Sequence, residues 1–212
     1  MPNWCVNQLY ITGNKKDRKR FKETVTLKEN DSDKETPLSF KTIIPCPPDE
    51  DNEWCRNHWG TKWDACEVSC IPDGDELVYG FETAWSPPSP VMMKASRQFP
   101  SLHFRLVYAE GGAGFWGEEE YENGKMLERA YTHEEYLELY NEEFREEKNS
   151  IEELSYEDLK KRLLMEESYF EYHQNELRAL KRIKDEDLPL FVGHNWENPD
   201  CIELFEERIK KC

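Results

Sequence analysis

Apolar and polar residues alternate over residues 4–12, and this period of two predicts a strand that Gly13-Asn14 closes. Asn14 then caps a helix from Lys15 to about Val25, with Phe21 and Val25 on one face at i, i+4. Residues 27–37 are polar and turn-rich and read as a loop. Leu38 to Ile44 predicts a second strand, ended at Cys46-Pro47-Pro48 because proline cannot donate to a ladder. A short tryptophan-bearing segment, 53–60, precedes a hairpin with strands near 63–71 and 76–85, where Asp73-Gly74 supplies the positive φ of a tight turn. Leu77, Tyr79, Phe81 and Trp85 share one face of its second strand. Ser89 predicts a helix cap and Pro90 the first helical position, with the helix running to about Phe99. Leu102, Phe104, Leu106 and Tyr108 alternate again, and Asn123-Gly124 predicts a last hairpin turn.

Beyond Thr132 the period becomes 3.6. Thr132 and Glu135 form a capping-box pattern before Tyr136, Leu139, Tyr140 and Phe144, and Ser150 with Glu153 repeats it. Leu159, Leu163, Phe170, Leu177 and Leu180 mark an apolar stripe on a helix over about 156–184, which at ~1.5 Å per residue is roughly 40 Å long. Pro189 and Gly193 break it, and Asn198-Pro199 restarts a short amphipathic helix with Ile202, Phe205 and Ile209. Strand, helix, strands, helix, strand is the order of a ferredoxin-like α+β fold, an antiparallel sheet with helices on one face. The expected division is a ferredoxin-like domain over 1–132 and an acidic helical extension over 133–212.

Charge sharpens that division. The formal net charge is -17, from 28 basic and 45 acidic residues. Residues 133–212 hold 12 basic and 23 acidic side chains, net -11, which leaves -6 for residues 1–132. Such a chain repels phosphate backbones, so nucleic acid is disfavoured and a partner with a basic surface is favoured. A mean hydropathy of -0.93 calls for solvated helix. No run approaches the roughly 20 apolar residues of a membrane span, and the basic run Lys15 to Lys22 follows rather than precedes the first apolar run, unlike a signal peptide. Seven cysteines at irregular spacing make no disulfide framework, which points to reduced thiols and the cytoplasm.

Six of the seven tryptophans fall before residue 117, set among glycines and prolines. The landmarks are Met1-Pro2-Asn3-Trp4-Cys5 with Asn7, then Trp54 with His58-Trp59-Gly60-Thr61-Lys62-Trp63, then Thr83-Ala84-Trp85-Ser86-Pro87-Pro88, then Glu110 to Gly117. In this order over residues 1–130 they resemble the YubB-like, ferredoxin-like domain family of plasmid- and phage-encoded proteins. The resemblance implies that fold and a mobile-element origin. It carries no catalytic residues and leaves the acidic tail uncovered.

Candidate chemistry is sparse. Cys55 and His58 have a short zinc-ligand spacing, and Cys5, Cys46, Cys66 and Cys70 are further thiols, but no second compact pair stands at finger spacing. Cys66 and Cys70, i, i+4 on a predicted strand, share a face ~13 Å apart, too far to be adjacent ligands. No metal and no cofactor is therefore expected. Cys55 beside His58 is also the one suggestive nucleophile pair, without a nucleophile-elbow motif around it. Gly111-Gly112-Ala113-Gly114 lacks the Lys-Ser/Thr of a phosphate loop and is trailed by Glu118 to Glu120, so a glycine hairpin is expected. No catalytic residue is assigned.

The function this supports is that of a non-enzymatic phage or plasmid accessory protein that binds a host protein, such as a defence or nucleic-acid-handling complex. Its partner-binding residues are Glu134, Glu135, Glu138, Glu142, Glu143, Glu146, Glu147, Glu152 and Glu153. An aromatic patch of Trp54, His58, Trp59, Trp63, Trp85 and Trp116 is a second candidate surface, or else a set of core wedges. Competing expectations are a small hydrolase using Cys55 and His58, an RNA-binding ferredoxin-like module, and a homo-oligomer formed through residues 156–184.

Overall fold

The computed structural model describes residues 3–28, 35–48, 51–73, 75–164, 173–192 and 198–211. The chain divides into two compact units, Met1–His133 and Glu134–Cys212. The first unit runs β1 (Trp4–Gly13), α1 (Lys15–Val25), β2 (Leu27–Lys28), β3 (Glu35–Thr36), a 3-10 turn at Phe40–Thr42, and α2 (Asn52–Trp59). There follow β4 (Cys66–Asp73), β5 (Glu76–Ala84), α3 (Ser89–Gln98), β6 (Leu102–Glu110), β7 (Phe115–Glu122) and β8 (Lys125–Tyr131). One antiparallel sheet takes the order β4-β5-β1-β6-β7-β8. Strands β4, β5, β1 and β6 with α1 and α3 make the ferredoxin-like arrangement, and β7 with β8 extends it at the β6 edge.

Alternation decides which face is covered. Cys5, Asn7, Leu9 and Ile11 of β1 are buried, as are Leu77, Tyr79 and Phe81 of β5 and Leu102, Phe104 and Leu106 of β6. Phe21 of α1 drops into this layer edge-on to Tyr79, Phe99 and Phe104, at ring separations of 6.2, 5.2 and 5.3 Å. Helix α1 starts where the sequence places it, with the Asn14 carboxamide accepting from Asp17 N at 2.9 Å. The β7–β8 turn has positive φ at Asn123 (47°) and Gly124 (74°), as a two-residue hairpin of this hand requires. Gly74 lies outside the described residues.

Three local expectations fail for tertiary reasons. Leu38 to Ile44 is not a strand: the Asp64 carboxylate accepts from Ser39 Oγ and Phe40 N, both at 2.6 Å, and winds the segment into the 3-10 turn. Trp85 leaves the face of Leu77, Tyr79 and Phe81 because its φ is +76°, past the end of β5. Cys66 and Cys70 do not share a face. Cys66 pairs with Glu82 and Cys70 with Tyr79, since a bulge at Glu67 (φ 47°) shifts the register between them.

The second unit is helical: α4 (His133–Tyr140, beginning at the boundary), α5 (Glu142–Glu153), α6 (Tyr156–Leu164), α7 (His173–Lys181), a 3-10 segment Asp185–Phe191, and α8 (Pro199–Ile209). Its core gathers Ile151, Leu159, Leu163, Leu180, Leu188 and Phe191. The long helix expected over 156–184 is replaced by α6 and α7, which pack on each other; Phe170 lies outside the described residues. Leu159, Leu163 and Leu180 thus face their own core. Ser150 sits inside α5 rather than capping a helix. Asn141 caps α5 by accepting from Phe144 N at 2.9 Å, and Ser155 caps α6 by accepting from Asp158 N at 3.2 Å. Asn198 caps α8, accepting from Asp200 N at 3.0 Å. Among the described residues no helix is long and apolar enough to cross a membrane.

Truncating Phe21 to Ala deletes the ring around which three aromatic side chains close. It is expected to lower unfolding free energy by about 3–5 kcal/mol, against at most about 0.5 kcal/mol for exposed Lys19→Ala. Urea denaturation of both variants checks the difference.

Candidate functional site

The tryptophan motifs do not form one patch; their ring contacts fall into three groups. On α2, Trp59 is 1% exposed and donates to Ile44 O at 3.0 Å, so it is a core wedge. Trp54 meets it edge-on at 5.6 Å, and His58 stacks on Trp54 at 4.1 Å. A second group is on the surface. Trp4, Trp63 and Trp85 are 38%, 36% and 39% exposed, with Lys62 Nζ lying 4.6 Å from the Trp63 ring centre and 5.1 Å from that of Trp85. Trp4, absent from the expected patch, approaches Trp63 at 5.9 Å. Third, Trp116 of β7 stacks on His133 at 4.5 Å.

A chain of buried hydrogen bonds sets the loops between these groups. The Asn7 amide donates to Cys5 O at 2.8 Å and Thr83 Oγ1 at 2.9 Å, and the Thr83 hydroxyl donates to Ser86 O at 2.8 Å. Ser86 Oγ donates to Gly60 O at 2.6 Å, and Thr61 Oγ1 to Ala84 O at 2.9 Å. Gly60 needs its left-handed φ of +80°, and a Cβ there would stand 2.6 Å from Pro90. The 60–63, 83–90 and 114–117 motifs thereby converge on one cleft.

That cleft, about 520 Å3, lies between the start of α3 and the inner face of β7 and β8. Ser86, Pro87, Ser89 and Pro90 form one wall, Tyr108 and Phe115 another, and Glu119, Met126 and Glu128 the floor. Glu119 is 4% exposed and accepts from Ser89 Oγ at 2.8 Å and from the Tyr121 hydroxyl. Ser89, expected as a helix cap, makes no capping bond and turns its hydroxyl to Glu119 instead. Burial holds the Glu119 carboxyl above its ordinary value; the hydroxyls of Tyr121 and Ser89 oppose the rise, and the Glu128 charge adds to it. Tyr108 donates to Glu128 Oε1 at 3.3 Å. Sequence reasoning passed over Glu119, because one glutamate among three is not marked by its neighbours. The period of two was the available signal: Gly117, Glu119 and Tyr121 must share the inward face.

Cys55 and His58 do not form a nucleophile and base arrangement. The thiol side is buried in the core and lines a separate cleft, of about 350 Å3, of which His58 is no part. His58 lies out on Trp54 with Nδ1 directed at Trp54 O, 2.8 Å away. The glycine-rich turn binds an anion of its own: Gly112 N and Ala113 N donate to the Glu110 carboxylate at 2.9 and 2.5 Å, and Glu110 is buried. Among the described residues no group of three His, Cys, Asp or Glu side chains comes together to hold a metal. Cys5 is pushed up to about 12 by burial. On the sheet face away from the helices β7 presents Glu118, Glu120 and Glu122, of which Glu118 pairs with Arg105 at 3.3 Å and Glu120 with His103 at 3.5 Å. This is a row of carboxylates where an RNA-reading sheet carries stacking rings.

The nine glutamates expected to meet a partner divide in two. Arg178 pairs with Glu134 and, at 2.9 Å, with Glu138, which also takes Lys148. Glu147 takes Arg162 at 3.4 Å and the buried Asn175 amide at 2.9 Å. These three hold the helical unit together and leave the expected binding set. Glu135 is exposed and has a partner of its own. Glu142, Glu143, Glu146, Glu152 and Glu153 are exposed on α5, and no described cation pairs with them.

The fold and its cleft define a ferredoxin-like α+β domain with an extended sheet, followed by a helical part. Residues 53–154 match the profile of a family described as "ferredoxin-like domain in Api92-like protein". Among solved structures the chain is similar to protein api92 from Yersinia pseudotuberculosis, with a TM-score of 0.50 and 12% identity over 62% of this chain and 98% of that one. At that identity the likeness is one of fold. No curated protein matches.

Because Glu119 titrates above an unfolded glutamate, the native state binds more protons than the unfolded chain once pH passes about 4.5, and stability from this group falls as pH rises toward its folded value. Glu119→Gln keeps one acceptor oxygen, for Ser89 or Tyr121, and removes the charge. Its melting temperature is therefore expected to gain on the wild type as pH rises from 4.5 toward neutrality, as thermal melts at several pH values will test.

Proposed function

We propose that this protein is a non-enzymatic accessory protein of a phage or plasmid that binds a basic host protein through the outward face of α5. The observation that carries the reading is the sorting of glutamates just described. Within one helical unit some carboxylates are neutralised by arginines and lysines, while Glu142, Glu143, Glu146, Glu152 and Glu153 of α5 are left to solvent. At 100° per residue Glu142, Glu146 and Glu153 fall within a 40° arc of the helix, with Glu143 beside them. A row of this kind repels itself, a cost that contact with positive charge relieves. The mobile-element setting rests on the YubB-like resemblance of the tryptophan motifs, and a host cytoplasm is the compartment it implies. A defence or nucleic-acid-handling complex offers the basic groove that such a surface suits, because that groove is built for phosphate.

Charge reversal at Glu142, Glu146 and Glu153 to Lys should abolish capture of the partner from host lysate, and wild-type capture should fade as salt rises past about 0.15 M, where the screening length nears 8 Å. Glu147→Gln is the contrasting variant: it should weaken folding and leave capture by the folded fraction unchanged. Undiminished capture by the triple reversal would end this reading.

A further inference from the structure

The cleft in the first unit has a composition that the acidic-face reading does not use. Two carboxyls, Glu119 and Glu128, reach it, and no lysine, arginine or histidine lines it. No described cation pairs with Glu119, although it is almost wholly buried. A carboxyl taken out of water beside a second carboxyl is costly unless positive charge arrives. The remaining walls are apolar and aromatic, from Tyr108, Phe115, Met126 and the proline pair Pro87 and Pro90. Ring faces attract cations and repel anions. The volume, about 520 Å3, falls among those of small-molecule sites. Close approach of backbone keeps the floor open: a Cβ at Gly117 would lie 2.4 Å from Tyr108 Oη.

We propose that this cleft binds a small organic cation, an ammonium or guanidinium head on an apolar stem, with Glu119 and Glu128 taking the charge and Phe115 with Met126 the stem. Ser89 and Tyr121 fix one carboxyl and Tyr108 the other, so both acceptors are oriented before the ligand enters. Anionic ligands are excluded by the same two groups, and neutral ones gain only the walls. The site is independent of α5.

Calorimetry on the full chain tests this, with agmatine as the guanidinium probe, tetramethylammonium as the ammonium probe and tert-butanol as the neutral comparison. At least one cation is expected to bind at one site per chain and the alcohol not at all. Glu128→Gln, at an exposed position, and Phe115→Ala should each weaken binding by about tenfold or more, with near-UV circular dichroism confirming that both fold. The Glu142/Glu146/Glu153 reversal should leave this binding unchanged, so its result stays separate from the fate of the proposed host contact. Failure of both cations to bind, equal binding by tert-butanol, wild-type affinity in both cleft variants, or loss of binding in the α5 reversal would each overturn the proposal.

Discussion

The amide of Asn7 is the constraint on which the first unit depends. It is buried at the centre of the sheet, and it cannot be satisfied by the ladder alone. It reaches its own strand at Cys5 O and the neighbouring strand at Thr83 Oγ1, and Thr83 passes the connection on to Ser86 and so to Gly60. A buried amide left unpaired costs about 1–3 kcal/mol, so the network closes fully or destabilises the strand that bears it. Closing it places the Ser86–Pro90 loop against the 60–63 turn. The first turn of α3, and Ser89 with it, is a consequence of that placement.

The helical unit is held by a different currency of contact. Arg182 covers the last carbonyls of α5, at Ile151 O and at Leu154 O (2.9 Å). Arg208 does the same beyond α7, at Leu180 O (3.0 Å) and Ile183 O, with Asp185 fixing its guanidinium. Unmet carbonyls at helix ends carry partial negative charge, and a guanidinium with its forked donors meets two at once. In a unit of net charge -11 each cation so used is one fewer to offset a surface carboxylate. The exposed acidity of α5 therefore follows from where the arginines are needed as much as from how many glutamates there are.

Much of the sheet was legible because period two survives reading in isolation: β1, β5 and β6 and the Asn123-Gly124 turn lie where alternation puts them. Helix α1 was legible to the residue through Asn14. What was not legible depends on residues distant in sequence. Leu38 to Ile44 carries a strand's composition, and only Asp64, 24 residues on from Phe40, turns it into a 3-10 segment. The bulge at Glu67 is likewise silent locally, yet it reverses the face of every β4 residue after it. Within the stripe at 156–184 the described parts, α6 and α7, are helical as read but pack on each other, since periodicity reports a face and not its partner. Of the expected site, Glu134, Glu138 and Glu147 turn out to be paired within the helical unit. Pairing across helices leaves no trace in spacing.

The cleft itself is explained by a mismatch of widths. Strands lie about 4.8 Å apart and a helix with its side chains is about 10 Å wide, so α1 and α3 together span about four strands. The ferredoxin-like core has four, and the fit there is close enough to bury Leu9, Phe104 and Leu106 completely. Strands β7 and β8 carry the sheet roughly 10 Å further, and α2 is no help, being packed beside α3 and, through Trp59, against Phe40 on the opposite flank. Helix α3 covers β7 and only the near edge of β8, whose residues are exposed almost throughout. The surplus inner face is where Glu119 can lie under a helix start while Glu128, two strands from β6, stays open to a ligand. A six-stranded sheet under a four-strand helix layer leaves a shelf, and the aromatic motif at 114–117 supplies its wall.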